Sequence, residues 1–237
     1  MMTLTDKQKF ARFLDITNDF LDCGYRKSPK EDKYDDNPRL NSDDFDTIEK
    51  IAAEIRACSN CSLSEKRQNA APGEGCLSPL VMVIGEGPGQ EEDAQGRPFV
   101  GRAGQLLDKM LLSINLSRNE NCFIANVVKC RPPGNRDPHP EETAACAHFL
   151  ERQITLLKPK FILAAGRVAA QTLLGTSEPI GKLRGKFTFL DIAGSSFPFL
   201  VTYHPAALLR SEDLKRPAWE DLKLLRLKID SSRNEEL

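Results

Sequence analysis

Seven cysteines are a high number for a chain of 237 residues whose apolar fraction, 40%, is ordinary for a soluble protein. In a reducing compartment such cysteines bind metals or catalyse more often than they form disulfides. Cys58 and Cys61 form a C-x-x-C pair, Cys130 follows an apolar segment, and Cys146 lies on the next predicted helix. Four thiolates can hold one zinc ion or one [4Fe–4S] cluster, and the spacing by itself favours neither. The remaining cysteines, which we expect to serve packing, are Cys23, Cys76 and Cys122.

A glycine-rich loop, residues 85–104, follows the first strong apolar run. Glycines let a backbone approach a ligand closely and adopt positive φ. The loop lacks the G-K-[S/T] of a phosphate-binding P-loop, and Pro88 interrupts the spacing of a dinucleotide fingerprint. The acidic run Glu91, Glu92, Asp93 argues against simple phosphate binding. It indicates instead a carboxylate that stabilises a cation or positions water.

Two more polar side chains interrupt or end apolar runs. Asn126 lies within the apolar segment 122–128, where an amide needs a hydrogen-bond partner. His204 follows the apolar run that ends at Tyr203, and it precedes Pro205. Both are candidates for contact with a ligand.

The elements that must position these residues follow from the alternation of apolar runs with helical periodicity. Buried strands are predicted at 80–84, 122–128, 161–165 and 197–203, and helices at 48–58, 101–114, 140–157, 167–174 and 214–229. This order predicts an α/β fold of three layers, α/β/α, with a central four-stranded, mainly parallel sheet. Ligands of such folds bind beyond the carboxyl ends of the strands. The glycine-rich loop, Asn126 and His204 all lie at such ends.

The first 45 residues are predicted to form a separate N-terminal extension, an amphipathic helix followed by an acidic linker, ahead of a main domain at 46–237. The formal net charge of −1 neither favours nor excludes nucleic acid as a partner. No apolar run approaches the roughly 20 residues of a membrane span. The N-terminus has no apolar core like that of a signal peptide. We therefore expect a cytoplasmic protein.

Three segments together resemble the signatures of the family 4 uracil-DNA glycosylases. They are GEGPGQEEDAQGRPFVGRAGQLL, NVVKCRPPGNRDP and YHPAALLR. The four cysteines also match the order and spacing of that family's cluster ligands. The resemblance runs from about Ile55 to Leu227 and implies a DNA-repair enzyme. Such an enzyme flips uracil out of single- or double-stranded DNA and hydrolyses its N-glycosidic bond, leaving an abasic site. It also implies a monomer with a structural [4Fe–4S] cluster on Cys58, Cys61, Cys130 and Cys146.

The resemblance assigns roles to the residues of the loops. Phe99 would stack on the flipped uracil, and Asn126 would read its O4 and N3–H. His204 would donate a hydrogen bond to O2 as negative charge develops there. The residues expected to line the pocket through their backbone are Gly85, Glu86 and Gly87.

The attacking water lacks its usual partner, because many related glycosylases have an aspartate where Gly87 stands. We expect Glu92 to position this water, with Asn135 as the second candidate. The residues expected to contact DNA outside the pocket are Leu208 or Leu209, as a wedge in the base stack, and Arg210, at a phosphate.

Two other functions compete with catalytic turnover. One is a relative that traps uracil-DNA covalently, but that branch has a basic, histidine-bearing insertion after the second strand. Here the corresponding segment, residues 130–137, is short and has no histidine. The other is a non-catalytic iron–sulfur protein that binds DNA, although the pocket residues are all present. An enzyme remains the leading prediction.

Overall fold

The computed structural model describes residues 46–235, with side chains up to residue 232. The predicted N-terminal extension lies outside the described residues. The main domain contains one six-stranded sheet, in the order β1-β3-β2-β4-β6-β5. Its strands are β1 (Glu74–Gly75), β2 (Val81–Gly85), β3 (Cys122–Asn126), β4 (Phe161–Ala165), β5 (Phe187–Ile192) and β6 (Ser195–Thr202).

Four strands, β2, β3, β4 and β6, are parallel to one another, and they are the four that the sequence predicts. The two others, β1 and β5, pair antiparallel at the edges. The predicted number of strands, four, was therefore too low, although the α/β class is confirmed. β1 has only two residues, and most of β5 is partly exposed, so neither strand produces the continuous apolar run of a buried strand.

Nine helices cover the sheet within the described part of the chain. They are α1 (Ile48–Ala57), α2 (Leu63–Lys66), α3 (Gln90–Gln95), α4 (Arg102–Leu112), α5 (Pro140–Leu157), α6 (Arg167–Leu174), α7 (Ile180–Leu183), α8 (Pro205–Arg210) and α9 (Lys215–Glu235). The last helix continues beyond its predicted end. No helix among residues 46–235 is long and apolar enough to cross a membrane.

The two faces of the sheet bury two separate cores. Successive side chains of a strand point to opposite faces, so Met82 and Ile84 join one core while Val81 and Val83 join the other. Helices α1 and α5 cover the first face, and α4 and α9 cover the second. Full burial of one such aliphatic side chain contributes about 1.5–3 kcal/mol. This burial stabilises the sheet that carries the loops at its end.

The parallel strands bring their carboxyl ends to one edge. Gly85, the last residue of β2, pairs directly with Asn126, the last residue of β3. Gly166 follows β4, and its N–H donates to the carbonyl of Thr202 at the end of β6, 2.9 Å away. The loops predicted to carry the chemistry therefore meet at one place.

Candidate active site

A cavity of about 640 Å³ opens at the carboxyl ends of the parallel strands. Each of the four strands contributes to its wall through the segment that follows it. Residues on the wall include Glu86, Glu92, Phe99, Asn135, Arg136, Arg167, Tyr203, His204 and Arg210. A cavity of this size is typical of a small-molecule site.

Phe99 lies on the cavity wall in a strained backbone conformation. Its φ is 51°, in the left-handed region that non-glycine residues rarely adopt, and the residue is only 5% exposed. The centroid of its ring lies 5.5 Å from that of His204. An added Cβ on Gly85 would lie 2.4 Å from the Phe99 ring, so only glycine allows the ring to lie flush against the end of β2.

The Glu92 side chain holds the Phe99 loop from inside. Its Oε1 accepts hydrogen bonds from the N–H groups of Val100, at 2.9 Å, and Gly101, at 2.8 Å. Its Oε2 accepts from the N–H of Gly89, at 3.1 Å. Three backbone donors therefore occupy the carboxylate that the sequence reasoning offered as the water-positioning group. Glu92 lines the cavity, but its observed hydrogen bonds hold the backbone of the loop in place.

Asn126 is 1% exposed and carries an orphaned acceptor. Among the buried side-chain nitrogen and oxygen atoms of the described residues, Asn126 Oδ1 alone lacks a hydrogen-bond partner. The atom lies near the Phe99 ring of the cavity wall, since an added Cβ on Gly85 would be 2.5 Å from Oδ1 and 2.4 Å from that ring. A buried acceptor without a partner costs stability, typically about 1–3 kcal/mol. Such a cost indicates a group kept for a ligand that donates.

His204 is held as a neutral hydrogen-bond donor. Its Nδ1 accepts from the N–H of Ala206 at 3.1 Å, which assigns the ring proton to Nε2. Burial, with a smaller contribution from the charge of Arg210, lowers the pKa of His204 to about 4. Gly166, at φ 104°, packs against this side chain, because an added Cβ there would lie 2.8 Å from His204 Cβ. The imidazole is therefore uncharged at neutral pH.

Glu86 supplies a carboxylate that the sequence reasoning did not put forward for catalysis. Burial, and secondarily the charge of Asp137, raises the pKa of Glu86 to about 7, while Arg167 acts in the opposite direction. Within residues 46–235, no hydrogen bond to its carboxylate is found. Asn135, the second candidate for the water, is exposed, and its Oδ1 accepts from Arg131 Nε at 2.8 Å. The sequence feature that could have identified Glu86 is its position directly after a buried strand.

The two leucines beyond His204 differ in exposure. Leu208 is 3% exposed and packs inside the protein, whereas Leu209 is 44% exposed. Arg210 follows them and lines the cavity. Of the two alternatives for a wedge, only Leu209 presents its side chain to a partner.

Cys58, Cys61, Cys130 and Cys146 line a second, smaller cavity between α1, α2 and α5. Arg67 Nη1 donates to Cys130 Sγ at 2.9 Å, and the N–H of Asn60 donates to Cys58 Sγ at 3.5 Å. Across residues 46–235, no three His, Cys, Asp or Glu side chains are grouped closely enough to hold a single metal ion. The four cysteines nevertheless line one cavity. Cys122 is buried in the second core, as expected for a packing residue, whereas Cys76 is only half-buried and joins neither core. Cys23 lies outside the described residues.

Lys129, which is 1% exposed, lines the cysteine cavity and bonds to the backbone of Asn126. Its Nζ donates to the backbone carbonyl of Asn126 at 2.9 Å and to Gln153 Oε1 at 2.8 Å. Its chain neighbour, Cys130, belongs to the cysteine cavity. The position of the orphaned amide therefore depends on the same segment that holds the thiols.

Comparison with known proteins assigns the chain to a class. A model described as the uracil DNA glycosylase superfamily matches residues 72–223, and the chain belongs to that superfamily. It is 42% identical over 191 residues to a type-4 uracil-DNA glycosylase of Saccharolobus solfataricus, covering 79% of this chain and 88% of that protein. It is 44% identical over 181 residues to the type-4 enzyme of Pyrobaculum aerophilum, covering 75% and 92%. Within the superfamily, the chain is a member of the type-4 family, which confirms the resemblance carried by the motifs.

Proposed function

We propose that this protein is a DNA-repair enzyme that removes uracil from DNA by hydrolysing the N-glycosidic bond. The observation that carries the proposal is the buried, unpartnered Asn126 Oδ1 near the Phe99 ring of the cavity wall. Uracil presents an N3–H donor next to an O4 acceptor, which match the oxygen and the NH₂ of one amide. Cytosine presents the opposite pattern at both positions. Such a mismatch leaves buried polar groups unpaired and gives on the order of 10⁴-fold discrimination.

The target base must leave the duplex before it can reach this amide. Phe99 offers a ring on which the flipped base stacks, and Leu209 has the exposure to fill the space that the base leaves. Arg210, at the cavity mouth, is available to a phosphate. These contacts select an extruded nucleotide of a DNA strand.

Bond cleavage moves the electron pair of the C1′–N1 bond onto uracil while water attacks C1′. The neutral His204 can donate its Nε2–H to uracil O2, where negative charge accumulates. A neutral donor with a lowered pKa stabilises this anion without first protonating the base. Glu86, as a carboxylate, would stabilise the positive charge of the sugar and accept the proton of the water.

We infer that the four cysteines hold a [4Fe–4S] cluster, as the resemblance to the family 4 enzymes implies. The four cysteines line one cavity, and N–H···S bonds from Arg67 and Asn60 are typical of the hydrogen bonds at such clusters. The cluster would join α1, α5 and the segment after β3. Its role would be structural, since these residues lie outside the cavity that receives the base.

Uracil release from single- and double-stranded uracil-DNA tests the activity. His204→Ala and Asn126→Ala should each lower the single-turnover rate at least tenfold. The matched control is His148→Ala, because His148 is an exposed histidine of α5 away from the cavity, and this variant should retain the wild-type rate. Absence of release from either substrate contradicts the proposal. A protein–DNA adduct that survives denaturation would indicate covalent trapping instead.

Metal analysis tests the cluster separately. A brown protein that absorbs near 400 nm and contains about four irons per chain is expected for a [4Fe–4S] cluster. A colourless protein with one zinc per chain contradicts this assignment and leaves the glycosylase proposal untouched.

A further inference from the structure

We propose that Arg118 is a positioning residue that holds Phe99 in its base-stacking orientation, acting through two backbone carbonyls. The inference rests on the proposed function only in giving Phe99 the stacking role. Arg118 lies between α4 and β3, well beyond the Phe99 loop in the sequence. None of the three sequence motifs includes it.

The Arg118 guanidinium contacts the backbone of the Phe99 loop. Its Nη2 donates to the carbonyl oxygen of Phe99 at 2.8 Å, and its Nη1 donates to that of Pro98 at 3.1 Å. The side chain is only 11% exposed. These bonds therefore form in a partly desolvated place, where a donor with a full charge binds a carbonyl strongly.

Phe99 needs such support because its backbone is strained. A positive φ at a non-glycine residue persists only where the surroundings over-determine it. The Phe99 carbonyl is also pressed against α4, since an added Cβ on Gly104 would lie 1.9 Å from its oxygen. A carbonyl enclosed in this way requires a donor from the protein.

Arg118 and Glu92 hold the loop from complementary sides. The Glu92 carboxylate accepts the N–H groups that follow Phe99, and Arg118 donates to the carbonyls at and before it. Donors and acceptors of the strained turn are thus both satisfied by charged side chains. The ring can then face the cavity without help from a bound base.

Arg118 is itself oriented by two carboxylates. Asp108 of α4 accepts from its Nε at 2.9 Å, and Glu74 of β1 accepts from its Nη1. Glu74 also accepts from Arg97, which belongs to the same loop as Phe99. Only a planar guanidinium can serve four acceptors in fixed directions, so lysine cannot replace it. This arrangement gives the short edge strand β1 a part in positioning the site.

A double-mutant cycle tests the inference. We would measure single-turnover uracil release for the wild type, Arg118→Lys, Phe99→Leu and the double variant. Arg118→Lys should lower the rate roughly tenfold in the wild-type background, the equivalent of one lost charged hydrogen bond. In the Phe99→Leu background the same change should lower it less than twofold, because no ring remains to be positioned. Equal losses in both backgrounds would overturn the proposal.

Arg152→Lys is the matched control. Arg152 is another partly buried arginine held by two carboxylates, Asp46 and Glu54, and it bonds to no backbone carbonyl within the described residues. Its replacement should leave the rate unchanged in either background. An effect of Arg152→Lys as large as that of Arg118→Lys would show general destabilisation and contradict the positioning role.

Amide hydrogen exchange supplies a readout that does not depend on activity. Exchange in residues 96–104 should accelerate in Arg118→Lys and stay unchanged in Arg152→Lys. If Arg118→Lys fails to fold, the milder Asp108→Asn, which removes one carboxylate from Arg118, should show the same local acceleration. Unchanged exchange there refutes the inference. If the wild type releases no uracil, the proposed function fails, and exchange alone decides whether Arg118 holds the loop.

Discussion

Replacement of Asn126 by leucine should separate substrate recognition from stability. Leucine has nearly the shape of asparagine but has no polar atoms. Because Asn126 Oδ1 is buried without a partner, its removal recovers a desolvation cost of about 1–3 kcal/mol. The larger methyl groups offset part of this gain, since the amide oxygen is already packed closely against Gly85. We expect the free energy of unfolding to stay unchanged or to rise by about 1 kcal/mol, equivalent to about 2–4 °C in Tm.

The same substitution should nearly abolish activity. The leucine leaves both N3–H and O4 of a bound uracil without partners, and mismatches of this kind change rates on the order of 10⁴-fold. Thermal unfolding and single-turnover uracil release would be measured on the same preparation. A protein that is at least as stable as the wild type but has lost its activity is the expected result.

Asn121→Leu provides the matched control, one residue before the same strand. The Asn121 amide is satisfied, because its Oδ1 accepts from the N–H of Ser117 at 2.8 Å and its Nδ2 donates to the carbonyl of Asn115 at 3.3 Å. Its loss should therefore destabilise the protein by about 1–2 kcal/mol while the rate remains that of the wild type. If Asn126→Leu destabilises the protein as much as Asn121→Leu does, Oδ1 is not an open acceptor. If its activity survives, Asn126 does not read the base.

Three further predictions concern the carboxylate, the thiols and the wedge. The pKa of Glu86 is raised to about 7, so its carboxylate forms as the pH rises through that value. The single-turnover rate should therefore increase between pH 6 and 8, and Glu86→Gln should remove this increase and lower the rate by about 10²–10⁴-fold. A pH profile that Glu86→Gln leaves unchanged contradicts the role. Cys146→Ser should lose iron and lower the Tm, whereas Cys76→Ser should retain the wild-type iron content. Leu209→Ala should slow release from double-stranded DNA more than from single-stranded DNA, and an equal effect on both substrates argues against a wedge.

Much of the fold could be predicted because local pattern and tertiary role coincide in the buried strands. The segments at 80–84 and 161–165 are apolar throughout, since a central parallel strand is covered on both faces. The edge strands β1 and β5 give no such signal, because they form by hydrogen bonding to the neighbouring strands β3 and β6 and have no continuous apolar run of their own. The six-stranded sheet could therefore be seen only in three dimensions.

The site also has features that the sequence predicts and features that only the tertiary structure shows. The sequence by itself determined which residue types follow each strand, and this was sufficient for Phe99, Asn126 and His204 to be brought to one edge of the sheet. It could not determine which carboxylate is free, because that depends on the backbone donors nearby. The tertiary structure decided that Glu92 is occupied by three N–H groups while Glu86 faces the cavity.

Contacts between segments distant in the sequence determined the roles of the two leucines and of Arg118. Leu208 and Leu209 are equivalent in sequence, but packing buries the first and exposes the second. Arg118 has no local pattern that marks it, and its contacts with the Phe99 loop exist only because the chain returns there before β3. Residue type and spacing are local properties, whereas burial and hydrogen-bond partners depend on which segments the fold brings together.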